Sequence, residues 1–371
     1  MIIFLLSFLC IYGGINFYAF SRAKIVFHFS GAAQIIIIAL FILLTLTPAI
    51  VRLAESLHLE TFAQSIAYAG YLWMAFIFLF FVLGVALDIL RYLSGFLYQG
   101  AGSALLNNIA FGLAVMLSFV LVVYGFFDAQ KIRVKQLEVH TEQFLPNNGK
   151  IRIVQISDVH IGIIIREKRL QILLDAVRRC KPDILVSTGD LLDGELDHVM
   201  LLAEQFVSIK PKFGKYAIMG NHEYYVGINH ALRFTKNAGF DILRDETRQV
   251  AGINIFGMDD ITGRKLGVAG DNREFEKLLT AHHDGFVLLL KHQPVVDEKE
   301  NFNLQLSGHT HGGQIFPFRL VTRLFFPKNY GYYSLDKNKA LYVSRGAGTW
   351  GPPVRIFAPP EITVIDLIGK K

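Results

Sequence analysis
The chain has 371 residues, 52% of them hydrophobic and 18% charged, with a formal net charge of +6. That length admits two or more domains. Its only cysteines, Cys10 in an apolar run and Cys180 at the end of a helical pattern, exclude a disulfide framework, and basic residues that form no long patch or stripe argue against a nucleic-acid partner.

The apolar excess is concentrated at the N-terminus. Residues 1–130 carry only Arg22, Lys24, Arg52 and Arg91 as bases and Glu55, Glu60, Asp88 and Asp128 as acids, so the net charge lies in residues 131–371. Apolar runs cover residues 2–20, 32–51, 66–87 and 105–127. Each approaches the ~20 residues with which a helix crosses ~30 Å of hydrocarbon, and a helix satisfies its own backbone there. The expectation is an α-helical transmembrane domain of about four spans over residues 1–130. No charged side chain sits mid-run, which argues against a transporter or channel. Near the run ends, Arg22, Lys24 and Arg91 oppose Arg52, Lys131, Arg133 and Lys135, an excess of one that favours a cytoplasmic side for residues 131–371.

Residues 131–150 are polar, end in Pro146-Asn147-Asn148-Gly149, and read as a linker. Beyond it, over residues 151–371, strands are expected at 151–156, 184–187, 216–219, 253–256, 286–290, 304–306, 341–344 and 362–366, and helices at 168–180, 198–209 and 230–238. The front half alternates strand with helix and the back half is richer in strand. That order predicts a four-layer α-β-β-α sandwich, two sheets packed together with helices outside.

Five short segments in this part carry the chemistry: Asp158-Val159-His160, Gly189-Asp190, Gly220-Asn221-His222-Glu223, Lys291-His292 and Gly308-His309-Thr310-His311. Each offers Asp, Asn or His, whose nitrogen and oxygen donors suit borderline divalent cations. Most follow an expected strand, and in such sheets ligands gather beyond the carboxyl ends of strands. One sheet edge can collect them all.

The blocks, in this order, resemble the calcineurin-like metallophosphoesterase superfamily, whose pattern is Asp-x-His, Gly-Asp, Gly-Asn-His-Asp/Glu, His, Gly-His-x-His; the resemblance covers about residues 150–371. It implies that Asp158, His160 and His311 bind one metal, that Asn221, His292 and His309 bind another, and that Asp190 bridges them. It also implies that His222 faces the phosphate as a catalytic residue. Two divalent cations are the implied cofactors, with Mn the expected occupant and Fe, Zn, Co or Mg alternatives for the same donors. Glu223 reads equally as an orienting group or a helix-start acid.

The run Gly308-His309-Thr310-His311-Gly312-Gly313-Gln314-Ile315 and the tail from Ser344 to Ile362 resemble a membrane-associated branch that includes UDP-2,3-diacylglucosamine pyrophosphatases. That branch implies a bacterial inner-membrane enzyme, with Arg345 and Arg355 as candidate substrate-phosphate ligands or surface charges. The segment Phe316–Tyr333 interleaves bulky apolar residues with Arg319, Arg323 and Lys328. Next to a membrane anchor it reads as a lipid-interface element, an acyl-chain groove, or a loop packed on its own domain. The expected function is a membrane-anchored phosphoesterase acting on a phosphodiester or pyrophosphate of a lipid-linked substrate, with the bilayer as partner. A broad phosphodiesterase on soluble substrates and a catalytically spent membrane scaffold are the alternatives.

Overall fold
The structure, a computed structural model, describes residues 2–95, 104–194 and 197–370. It divides into two compact units, residues 1–127 with 351–354 and residues 128–350 with 355–371.

The first unit contains the helices α1 (Ile2–Phe27), α2 (Gly31–Ser56), α3 (Glu60–Gly95) and α4 (Ala104–Ala129). Among the described residues, the helical stretches 31–56, 60–94 and 105–129 are long and apolar enough to cross a membrane; α1, at the first of the four expected spans, is itself a 26-residue helix. Their outward residues stay uncovered by protein, as at Ile35 and Phe119, which suits a hydrocarbon solvent. Inside, the few polar groups find one another. The Asn16 amide donates to the Tyr12 carbonyl at 2.9 Å and its oxygen accepts from the Trp73 indole at 3.0 Å. Asp88 pairs with Arg22 at 3.0 Å and accepts from the Tyr18 hydroxyl at 2.8 Å, tying α1 to α3. A Cβ at Gly70 would lie 2.3 Å from Thr47 Oγ1, so α2 and α3 approach closer than alanine allows.

The second unit holds twelve strands: β1 (Arg133–Phe144), β2 (Lys150–Ile156), β3 (Ile184–Ser187), β4 (Lys215–Ala217), β5 (Asp241–Ile242), β6 (Glu246–Val250), β7 (Ile253–Met258), β8 (Phe286–Lys291), β9 (Leu304–Ser307), β10 (Gly331–Asp336), β11 (Lys339–Val343) and β12 (Glu361–Lys370). They form two six-stranded sheets, ordered β1-β12-β2-β3-β4-β5 and β10-β11-β9-β8-β7-β6. The inner faces supply one core, with Ile153, Val186 and Ile218 from the first sheet and Ile255, Leu290 and Leu306 from the second. Each such buried side chain stabilises by about 1.5–3 kcal/mol. On the first sheet the Glu167–Cys180 helix contacts β12 and the Ile228–Asn237 helix contacts β5. On the second, Phe275 and Leu279 of the Arg273–Thr280 helix pack on Phe256 and Leu289. This is the expected α-β-β-α architecture.

Residues 131–150 are not a linker throughout. Strand β1 runs parallel to β12 from Arg133↔Glu361 to His140↔Ile368 and forms the edge of the first sheet. Its residues are exposed or half-buried, so its sequence is polar although one side of its backbone pairs with β12.

Candidate metal centre
Strands β2, β3 and β4 run parallel, as do β7, β8 and β9. The loops leaving their carboxyl ends carry the five segments. In those loops Asp158, His160, Asp190, His309 and His311 adopt left-handed backbone conformations, with φ between 49° and 71°. A non-glycine residue there costs on the order of 1–3 kcal/mol and persists only where its surroundings fix it. Here the loops fix each other. Asp158 N–H donates to the Gly189 carbonyl and His160 N–H to the Asp190 carbonyl, both at 3.0 Å. His309 N–H donates to Asp158 Oδ1 at 2.9 Å, joining the first sheet to the second. A Cβ on Gly220 would fall 2.2 Å from Asp190 Oδ1, so only glycine lets these loops close.

Among the described residues, three groups of side chains converge tightly enough to hold a cation: Asp158, His160 and His311; Asp190, His292 and His309; and His160, Asp193 and His222. In the first, His160 Nε2 and His311 Nε2 are 3.0 Å apart, with Asp158 Oδ1 3.5 Å from His311 Nε2. In the second, Asn221 Oδ1 lies 2.8 Å from His309 Nδ1 and 3.0 Å from His292 Nε2. Asp190 Oδ2 is 3.1 Å from His292 Nε2 and 3.9 Å from His160 Nε2, within reach of both groups.

The donors fit a cation. His292 Nδ1 lies 2.8 Å from the Thr188 carbonyl, which only accepts, so Nδ1 carries the proton and Nε2 is the ligating nitrogen. Burial raises Asp158 above the carboxylate range, against the opposing pull of His292. Burial, the largest single effect, would raise Asp190 too, but His292, His222 and His160 together hold it well below. The reciprocal effect lifts His292 well above an ordinary imidazole despite its burial, through the Asp190 carboxylate. Burial and the charge on His292 push His309 down to about 4, and burial and Arg355 push His311 well down. Convergent lone pairs and a displaceable proton on His292 are what a cation would resolve.

His222 stands beside these groups. Its ring lies edge-on to His160 at 4.6 Å, and its Nδ1 is 2.8 Å from Asp193 Oδ1. Burial works against its charge, but Asp190 and Asp193 together raise it to about 9. Asp193 is absent from the expected set. Its signal is an acid three residues after Asp190 in Gly189-Asp190-Leu191-Leu192-Asp193. Both readings of Glu223 hold: it is the first-turn acid that caps the Asn221–Val226 helix at Gly220 N–H, and it orients the neighbouring loop. Its carboxylate, 1% exposed, accepts from the N–H groups of Asp190, Leu191, Leu192 and Gly220.

The two arginines part company. Arg355 is fully buried, and its guanidinium donates to the carbonyls of Gly348, His311, Arg345 and Ala358 and to His311 Nδ1. All five N–H groups are thereby committed, which corrects the expectation of a phosphate ligand: Arg355 braces the His311 loop. Arg345 pairs with buried Glu361 through Nε at 2.7 Å and Nη2 at 2.5 Å, leaving Nη1 available. Around His222 stand the exposed rings of Tyr225, at 5.6 Å, and Trp350, at 5.7 Å. The Gln314 side chain holds the Trp350 backbone at both its N–H, 3.0 Å, and its carbonyl, 2.9 Å. Neither ring carried a sequence signal of its own.

A family model described as calcineurin-like phosphoesterase matches residues 151–313. An uncharacterized metallophosphoesterase of Aquifex aeolicus (strain VF5) is 37% identical over 260 residues, covering 69% of this chain and 99% of that one. A second, from Campylobacter jejuni, is 36% identical over 264 residues, 69% of each chain. A transmembrane protein with metallophosphoesterase domain from Danio rerio is 32% identical over 270 residues, 69% of this chain and 62% of its own length.

Proposed function
Because this chain belongs to the calcineurin-like metallophosphoesterase family, we propose that it hydrolyses a phosphodiester or pyrophosphate bond of a lipid-linked substrate at a two-metal centre. Metal-dependent phosphoester hydrolysis is the activity of the family. The finer reading assigns Asp158, His160 and His311 to one cation, Asn221, His292 and His309 to the other, and Asp190 to both. The observation that carries it is the Asp190 carboxylate, 3.1 Å from His292 Nε2 and 3.9 Å from His160 Nε2, lying between two ligand groups.

A bound pair of divalent cations would lower the pKa of water and neutralise charge on the phosphoryl oxygens. The chain's own residues supply the rest. Asp193 holds His222 through Nδ1, so Nε2–H is the group that can donate. With its pKa lifted to about 9, His222 is cationic at neutral pH and can protonate the leaving oxygen. Glu223 keeps the Asp190 and Asn221 loops in register. Arg345 Nη1 is the candidate contact for an outer phosphate oxygen.

A lipid-linked substrate is favoured by the three apolar helices and by the exposed apolar segment beside His309, whose ring meets Phe326 at 5.0 Å. An inner-membrane location and a cytoplasmic active site complete the proposal, and UDP-2,3-diacylglucosamine is the first substrate to test. Detergent-purified protein with Mn²⁺ should turn over this lipid faster than a generic aryl phosphodiester, and Asp190→Ala should turn over neither. Hydrolysis of the aryl ester alone would sink the lipid-linked substrate. Full activity in Asp190→Ala would sink the metal assignment.

A further inference from the structure
The helix Phe318–Phe325 buries none of its residues. An eight-residue amphipathic helix on a globular domain normally turns its apolar face inward. Here the arrangement is reversed. Arg319 and Thr322 are the partly covered positions, while Phe318, Leu320, Val321, Leu324 and Phe325 are open. Leu324 is 79% and Phe325 74% exposed.

The polar side explains the reversal. Arg319 Nε donates to the Gly312 carbonyl at 3.1 Å, Nη2 donates to the Phe357 carbonyl, and the guanidinium lies over the Tyr330 ring at 4.5 Å. The Thr322 hydroxyl accepts from the buried Asn329 amide at 2.9 Å. The helix is therefore fastened to its domain by hydrogen bonds and offers its hydrocarbon outward. The exposed pair Phe316 and Phe357, 5.9 Å apart, enlarges the apolar area. A convex helix of this kind is not an acyl-chain groove, and it is not a loop folded onto its own core.

We propose that this helix is an interfacial membrane element, its apolar side set among the upper acyl chains of a bilayer and the exposed Arg323 at the anionic headgroups. The occupant is set by the rest of the chain. Helices long and apolar enough to span a bilayer precede the domain, so a lipid surface is its permanent neighbour. An outward apolar helix with a cation at its edge matches that surface in both chemistries. Phe326 directly follows the helix and touches His309, so the element also brings the interface to the metal site. The inference rests on the bilayer-anchored part of the proposed function and not on its chemistry.

The test uses the full chain in nanodiscs of phosphatidylcholine and phosphatidylglycerol, with Leu324→Trp as a reporter read against the parent, whose tryptophans are Trp73 and Trp350. The added emission should be blue-shifted, and should lose most of its intensity to lipids brominated near the headgroup end of the acyl chain. Emission at the solvent wavelength without bromine quenching would overturn the proposal. So would a blue shift without quenching in discs that hold two copies, which would make the face a self-association surface. In a second arm, Leu324→Asp with Phe325→Asp should lower kcat/KM for a phosphodiester presented in vesicles and spare a soluble aryl phosphodiester. Equal loss on both substrates would also count against it. Quenching is read without turnover, so a wrong substrate assignment leaves the first arm standing.

Discussion

His222 has an ordinary imidazole's chemistry and an unusual setting. The acid role proposed for it requires the protonated form, so activity should fall as pH rises through its pKa. Asp193 contributes to the rise that puts this pKa at about 9. Asp193→Asn should therefore move the alkaline limb of the kcat profile to lower pH. It should also slow substrates with alkyl leaving groups by about 10- to 100-fold while sparing nitrophenyl esters, whose leaving group needs no proton. A profile that does not move would remove His222 from the acid role. Arg355 makes a different point at the same scale. Read as a letter near the end of a motif it is a phosphate ligand; read with its surroundings it is a brace. Arg355→Met strands several buried carbonyls, each worth about 1–3 kcal/mol when left unsatisfied. Denaturant unfolding should register on the order of 3 kcal/mol of lost stability, and metal content should fall as His311 loses its partner. An unchanged unfolding midpoint would contradict the brace. The residues that converge at the candidate centre were legible in sequence because each belongs to a short, chemically committed motif behind a strand. Asp193, Trp350 and the true role of Arg355 were not, since burial and partnership between distant positions leave no local trace.

At the scale of elements, the buried strands announced themselves and the edges did not. Strands β3 and β8 are mostly apolar runs, β9 alternates leucine with buried polar residues, and all three lie where expected. Strands β1, β6 and β10 are polar or mixed in sequence and include exposed positions, so no apolar run marks them. The consequence is measurable. A fragment of residues 128–371 should give a soluble, cooperatively unfolding domain, since Asp128 pairs with Arg133 at 2.7 Å and β1 covers β12. A fragment of residues 151–371 leaves the long apolar β12 uncovered and should aggregate. Equal behaviour of the two fragments in size-exclusion chromatography would show that β1 is dispensable. For the outward helix at residues 318–325 the sequence left a lipid-interface element, a groove and a packed loop open, because an apolar stripe states amphipathicity without stating which way it faces.

For the molecule as a whole, the metal centre ties stability to occupancy. Cations at the proposed centre would bind the folded loops and not the unfolded chain, so chelation should lower the melting temperature of the second unit by roughly 5–10 °C at cation concentrations near a hundred times the dissociation constant. The sign with pH is set by His292. Its pKa is raised by Asp190, so the proton it holds must leave before a cation can be ligated. Apparent metal affinity should weaken as pH falls, and binding should release protons. Calorimetry in two buffers of different ionisation enthalpy measures that release, and identical enthalpies would refute it.

Glu223 fastens two loops through one side chain: four amides, from Asp190, Leu191, Leu192 and Gly220, converge on a single carboxylate. The rings that border the site, Tyr225 and Trp350, are exposed and take no part in that fastening. The carboxylate that ties the loops and the rings that border them thus belong to separate sets of contacts, so Tyr225 or Trp350 can be exchanged without loosening the loops that carry Asp190 and Asn221.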